Sequence, residues 1–261
     1  MLHAPSNSLK LKNFREYDSL ISMKIPRFHQ GLTHYLRPNK VLVIYGPRQV
    51  GKTTLVRDFL ATYPDRYKLD SGENIRLQTL LSSQDFDAIK EYVQGYSLIV
   101  IDEAQKVPQI GQALKILVDQ VPGIQVIATG SSSFDLAGQV GEPLTGRKIT
   151  LTLYPIAQIE LQRLYNPYEL KNKLAEWLIF GGYPEIAASD LKSEKIRLLE
   201  ELVQSYLLKD ILELERIKSP KILMDLLRFV GVSSQLGGAY LNIHLNKHLL
   251  CRLKDSWHEE H

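Results

Sequence analysis

Residues 41–54 read VLVIYGPRQVGKTT. Five consecutive apolar residues run into a loop that opens on Gly46, and residues 46–53 fit the pattern G-x-x-x-x-G-K-[ST]. The chemistry of phosphate binding asks for this layout. Gly46 and Gly51 let the backbone turn sharply and come close to a ligand. Pro47, Arg48, Gln49 and Val50 form the turn between them, and Thr54 continues into a helix. Backbone N–H groups of such a loop face inward, and the helix adds its positive end. Lys52 is placed to reach the β- and γ-phosphates, and the Thr53 hydroxyl to ligate Mg²⁺. Arg48 and Gln49 fit a phosphate role and a solvated surface equally well.

A second element lies about fifty residues on, in SLIVIDEAQ (97–105). Asp102 ends a buried apolar run, at the carboxyl end of a strand where ligands of open α/β sheets bind. From there it can hold Mg²⁺ through water. Glu103 follows directly and can orient a water for attack on the γ-phosphate. This Asp-Glu pair favours nucleotide hydrolysis over phosphorylation of a small molecule, so a P-loop kinase is only a minor alternative. No N-K-x-D guanine motif is present, because Asn246-Lys247 is followed by His248 and Leu249. ATP is therefore the expected nucleotide. There is no transporter-type L-S-G-G-Q, and the chain is too short for two helicase motor domains.

A third strand, IQVIATGSSSFDL, ends in the polar cluster 129–133. A side chain there would lie beside the γ-phosphate, and Ser131 is the expected sensor, with Thr129 second. Further on, LTGRK places Arg147 in a loop before the last strand. An arginine reaching a γ-phosphate, in its own subunit or a neighbour, stabilises transition-state charge.

Outward from these motifs, short apolar runs alternate with helical patterns. VLVIY (41–45), YKLD (67–70), SLIVI (97–101), IQVIA (124–128) and KITLTLY (148–154) read as strands. TTLVRDFL, FDAIKEYVQ and IGQALKILVDQ read as the intervening helices. The alternation predicts an α/β fold, a parallel sheet covered by helices on both faces. Residues 1–40 are a polar lead-in with one short helix, and 41–155 form the P-loop core. Residues 156–238 turn mostly helical, through IAQIELQRL, LKNKLAEWLIF, the tight connection FGGYPE and a long amphipathic stretch at 193–217. Ser219-Pro220 carries an N-cap signal for one more helix.

Residues 239–261 differ in composition. Four of the seven histidines and the single cysteine, Cys251, fall there. His244 and His248 share a helical spacing, but no glutamate follows His244, so the zinc-protease pattern fails. One cysteine excludes an internal disulfide. The first twenty residues lack a signal-peptide core, and no apolar run approaches the ~18 residues of a membrane helix. A cytoplasmic protein without a membrane association is expected. The net charge of +3 is too small to argue for nucleic acid by itself.

The ordered set GPRQVGKTTL, LIVIDEAQKVP, the strand into TGSSSFDL, LTGRK and FGGYPE resembles a prokaryotic family of AAA-type P-loop ATP-binding proteins, over roughly residues 25–238. The resemblance implies a five-stranded parallel ATPase core with the sensor strand between the two Walker strands. It also implies a helical region, a winged helix and a C-terminal domain of unknown function. The motif resemblance ends near Gly238, and a frameshifted or truncated end is the expectation; reading the encoding DNA in its other frames tests it. Two functions compete. One is a Mg²⁺-dependent ATPase driving a conformational change. The other is an ATP-loaded switch or adaptor with little turnover, acting on DNA or a protein partner. A homo-oligomer is compatible with both.

Overall fold

The computed structural model describes residues 25–131, 143–203 and Asp225. The chain divides into two compact units, residues 1–199 and 200–261. The expectations for Ser132, Ser133, Ser219-Pro220, His244 and His248 lie outside the described residues.

The apolar runs become a parallel sheet. Its strands are β1 (Val41–Tyr45), β2 (Tyr67–Ser71), β3 (Leu98–Asp102), β4 (Gln125–Gly130) and β5 (Lys148–Thr152). Their spatial order is β2-β3-β4-β1-β5. All four pairings are parallel. As the resemblance implied, the strand carrying Thr129 lies between the strand before the P-loop and the strand ending in Asp102. Parallel strands need crossovers, and helices supply them: α1 (Lys52–Leu60), α2 (Ile75–Ser82), α3 (Phe86–Val93) and α4 (Ile110–Gln120).

Period-2 geometry sorts the strand side chains between two cores. Val41, Val43, Ile99, Ile101, Val126 and Ala128 face one side, where Leu77, Leu81, Ile89, Leu114 and Leu117 cover them. Leu42, Ile44, Leu98, Val100 and Ile127 face the other, against Leu55, Val56 and Phe59 of α1 and against Leu32. Leu32 belongs to a 3-10 turn at Leu32–Tyr35, the short helix of the lead-in. Every residue of β1 is buried. Fully burying one such aliphatic side chain is worth about 1.5–3 kcal/mol. The P-loop is thus anchored to the most deeply buried strand of the fold.

Several expectations change. The helix α2 was not foreseen; Asn74 caps it by accepting the Arg76 N–H at 3.0 Å. β4 runs to Gly130 rather than stopping at Ala128, so Thr129 is a strand residue. β5 stops at Thr152 instead of Tyr154; the Leu153 N–H still donates to the Tyr45 oxygen at 2.7 Å, and the Tyr154 carbonyl accepts from Arg27 instead of a strand.

After the sheet come α5 (Gln158–Leu161), α6 (Pro167–Phe180), α7 (Pro184–Ala188) and α8 (Lys192–Leu202). Asn166 and Glu169 form a capping box around Pro167 at the start of α6: Asn166 Oδ1 accepts the Glu169 N–H, and Glu169 Oε2 accepts the Asn166 N–H at 2.8 Å. Gly182 packs so closely on the chain after β5 that a Cβ there would strike the Ile156 carbonyl. The Ile156 N–H donates to the Gly182 oxygen at 2.6 Å. The FGGYPE turn is thereby tied to the exit of the sheet. No helix among the described residues is long and apolar enough to cross a membrane.

Candidate nucleotide site

The site grows from the carboxyl ends of β1, β3 and β4. Gly46 follows β1 in a gap that admits no side chain, because a Cβ would collide with the Leu153 carbonyl. Gly51 adopts φ 94°, ψ 24°, a left-handed conformation that favours glycine, and α1 begins at the next residue. Between them, Val50 is fully buried and Gln49 is exposed. Pro47 and Arg48 are half-buried, and Thr54 is exposed on the first turn of α1. Lys52 is buried, and its Nζ donates to the Gly46 oxygen at 2.9 Å and the Pro47 oxygen at 2.8 Å. The ammonium therefore lies across the mouth of its own loop.

Sheet register brings the polar residues together. Ile101 pairs with Ala128, which sets Asp102 beside Thr129. Ile44 pairs with Thr129 on its other side. Thr53 Oγ1 donates to Asp102 Oδ2 at 2.8 Å. Thr129 Oγ1 donates to the other carboxylate oxygen of Asp102. The same threonine oxygen accepts the Glu103 N–H at 3.2 Å. One hydrogen-bonded chain thus joins α1, β3 and β4, and its centre is a single carboxylate.

Glu103 leaves the strand at φ 50°, ψ 43°, and Gln49 in the loop has φ 58°. Left-handed backbone at non-glycine residues costs about 1–3 kcal/mol and clusters at functional sites. Gly72, after β2, makes room for the Glu103 turn, since a Cβ there would meet the Glu103 carbonyl. The Gly72 N–H donates to the Asp102 main-chain carbonyl at 2.7 Å. Gln105 Nε2 donates to Glu103 Oε2 and restrains the carboxylate.

Of the two expected sensors, Thr129 touches Asp102. Ser131 is buried one residue past β4. Arg147 is elsewhere. It immediately precedes β5, whose first residue, Lys148, pairs with Val41, the first residue of β1. Arg147 therefore sits at the amino end of the sheet while Lys52 and Asp102 sit at the carboxyl end. Its Nε donates to Asp119 at the end of α4, at 2.7 Å. The expectation that it reaches the γ-phosphate of its own subunit is corrected by this placement; the register of a parallel strand leaves no other position for it. Gly72, Gln105 and Arg27, which also contacts the loop, were not singled out from sequence. The DEAQ tetrapeptide carried the signal for Gln105.

Residues 38–162 match the family model of an AAA domain. Residues 171–248 match a domain of unknown function, DUF8612, and this match runs past Gly238. An uncharacterized protein of Methanocaldococcus jannaschii, MJ1544, is 26% identical over 224 residues, covering 79% of this chain and 50% of the relative. An uncharacterized protein of Haemophilus influenzae is 24% identical over 225 residues, covering 77% and 54%. The chain spans about half the length of these two relatives. The Walker-type ATPase PABY2304 of Pyrococcus abyssi superposes with a TM-score of 0.45 at 18% identity, over 76% of this chain and 77% of that one. With the motifs, strand order and family match together, residues 38–162 are an AAA-type P-loop domain, and the segment after it matches a domain of unknown function.

Proposed function

We propose that the protein binds Mg-ATP at residues 46–54 and hydrolyses it to drive a conformational change. The observation that carries this reading is the hydrogen-bonded chain Thr53–Asp102–Thr129–Glu103. A hydroxyl and a carboxylate at 2.8 Å are a donor set suited to a hard divalent cation such as Mg²⁺. The glycine-lined gap at Gly46 and the buried ammonium of Lys52 suit a polyphosphate. The residues thus fit the nucleotide and its metal, which supply the transferable phosphoryl group and its charge neutralisation.

In this reading Lys52 exchanges its loop carbonyls for phosphate oxygens. Thr53 and Asp102 hold the metal, directly and through water. Thr129 fixes the Asp102 carboxylate and the Glu103 backbone together. Glu103 orients the attacking water once its carboxylate leaves Gln105, and Ser131 lines the same end of β4. Arg147, if it acts on a nucleotide, acts on a neighbouring subunit's, which makes a homo-oligomer the working assembly. A second reading, an ATP-loaded switch on DNA or a protein partner, draws on that same placement: an isolated subunit does not bring Arg147 to its own site.

Glu103→Gln tests the hydrolytic reading. Removing the carboxylate should lower turnover by about 10²–10⁴-fold with ATP binding retained. No measurable turnover in the parent protein at any assembly state contradicts hydrolysis and leaves the switch.

A further inference from the structure

Behind the P-loop lies a buried cation that the proposed chemistry does not use. Arg27 is 9% exposed and Glu160, on α5, is 5% exposed. The guanidinium makes three contacts to three parts of the chain. Nε meets Glu160 Oε1 at 3.0 Å, Nη1 donates to the Val50 oxygen at 2.7 Å, and Nη2 donates to the Tyr154 oxygen at 2.5 Å. Glu160 is held in turn by the Phe28 N–H at 2.6 Å and the Ala157 N–H at 2.9 Å.

The contact to Val50 has a geometric consequence. No peptide bond among the described residues is cis. In a planar trans peptide the C=O of one residue and the N–H of the next point in opposite directions. A grip on the Val50 oxygen from outside the loop therefore aims the Gly51 N–H toward the inside. Gly51 itself has no side chain and takes the left-handed φ of 94°. A Cβ placed on Gly51 would face Arg27 Nη1 at 3.6 Å and Pro184, the first residue of α7, at 3.9 Å.

We propose that Arg27, braced by Glu160, is a positioning residue for nucleotide binding: it orients the Gly51 N–H toward the phosphates and ties the loop to the helical segment that follows the sheet. The proposal rests on the nucleotide reading of residues 46–54. Arginine suits the task because one rigid fork reaches a carboxylate and two carbonyls at once; a lysine has a single point of contact to divide among them. The tie continues through Glu160 to the Ala157 N–H and, one residue earlier, through Ile156 to Gly182 and the start of α7.

Calorimetric titration with Mg-ATP and Mg-ADP of the full chain, Lys52→Ala, Arg27→Lys, Arg27→Gln and Glu160→Gln tests it, each below its own melting temperature and with the fold verified by circular dichroism. Backbone N–H groups of a P-loop serve the α- and β-phosphates, so ATP and ADP should be affected alike. Both Arg27 variants should bind each nucleotide about tenfold more weakly, and Glu160→Gln about threefold. KM should follow Kd, with kcat at saturation within about twofold of the parent, because the contact is the same in ground and transition states. A merely structural role would lower the melting temperature and leave Kd of the folded protein unchanged; that result in a folded Arg27 variant overturns the proposal. If neither Arg27 variant folds, an unchanged Kd in Glu160→Gln overturns it. No binding by the parent chain instead removes the nucleotide reading itself, and this inference with it.

Discussion

The Thr53 hydroxyl donates to Asp102 Oδ2 at 2.8 Å, across 49 positions of sequence. One residue lies in the first turn of the helix after β1 and the other closes β3, two strands apart in the sheet. The pair places a hydroxyl and a carboxylate where one cation can take both. Thr53→Val keeps the shape and removes the oxygen. It should weaken Mg-ATP binding by about tenfold, the equivalent of one lost hydrogen bond to a charged group. Binding of ATP in excess EDTA should change little. Equal losses with and without Mg²⁺ would show that Thr53 is no metal ligand.

Thr129 links the Asp102 carboxylate to the Glu103 backbone. Replacing it with Val leaves one Asp102 oxygen without its donor and frees the turn at Glu103. Stability should fall by about 1 kcal/mol, read from urea midpoints. Turnover should fall more steeply, on the order of a hundredfold, since small misplacements of a reacting group are costly. Ser131→Ala, measured beside it, ranks the two candidate sensors.

Glu160 sets a pH dependence. Burial alone would push its carboxyl up, but the N–H groups of Ala157 and Phe28 and the Arg27 guanidinium outweigh burial and hold it below the ordinary 4.5. The folded state thus binds its proton more weakly than the unfolded chain does. The resulting stability is fully present above pH 4.5 and is lost as the pH falls through the lower, folded value. Glu160→Gln lacks this titration. The stability gap between the parent and Glu160→Gln should shrink as the pH is lowered from 6 toward 3, monitored by urea unfolding at each pH. His29, whose imidazole is pushed down chiefly by burial and pushed up by the Glu160 charge, is coupled to this carboxylate, so both proteins are compared in a His29→Gln background. A gap independent of pH would mean that Glu160 is not charged in the folded protein.

Local patterns in the sequence carried most of the core. VLVIY and IGQALKILVDQ appear in the structure with the bounds read for them, because burial on both faces or one helical stripe decides them without help from distant residues. The Asp102-Glu103 pair was legible for the same reason: a strand end is marked where apolar residues stop. The strand read as 124–128 is longer than its apolar run: Thr129 and Gly130 pair with Ile44 and Tyr45, and only pairing reveals it. Eight residues of α2 carry Leu77 and Leu81 inward, too short a stripe to stand out. Arg147 sits one residue before β5, and its end of the sheet follows from the register with β1 rather than from LTGRK itself. Arg27 and Glu160 are 133 positions apart, and nothing in either neighbourhood announces the other.

The most direct test is the melting temperature of the chain with and without Mg-ATP, with Mg-GTP and Lys52→Ala as controls. At a hundredfold excess over its dissociation constant, a ligand of the folded state adds about 2.7 kcal/mol. For a protein of this size that is a rise of several degrees. A rise with Mg-ATP, smaller with Mg-GTP and absent in Lys52→Ala, is the predicted result. A parent chain whose melting temperature ignores Mg-ATP at millimolar concentration, or a Lys52→Ala variant that responds as the parent does, would contradict nucleotide binding at Gly46 to Thr54.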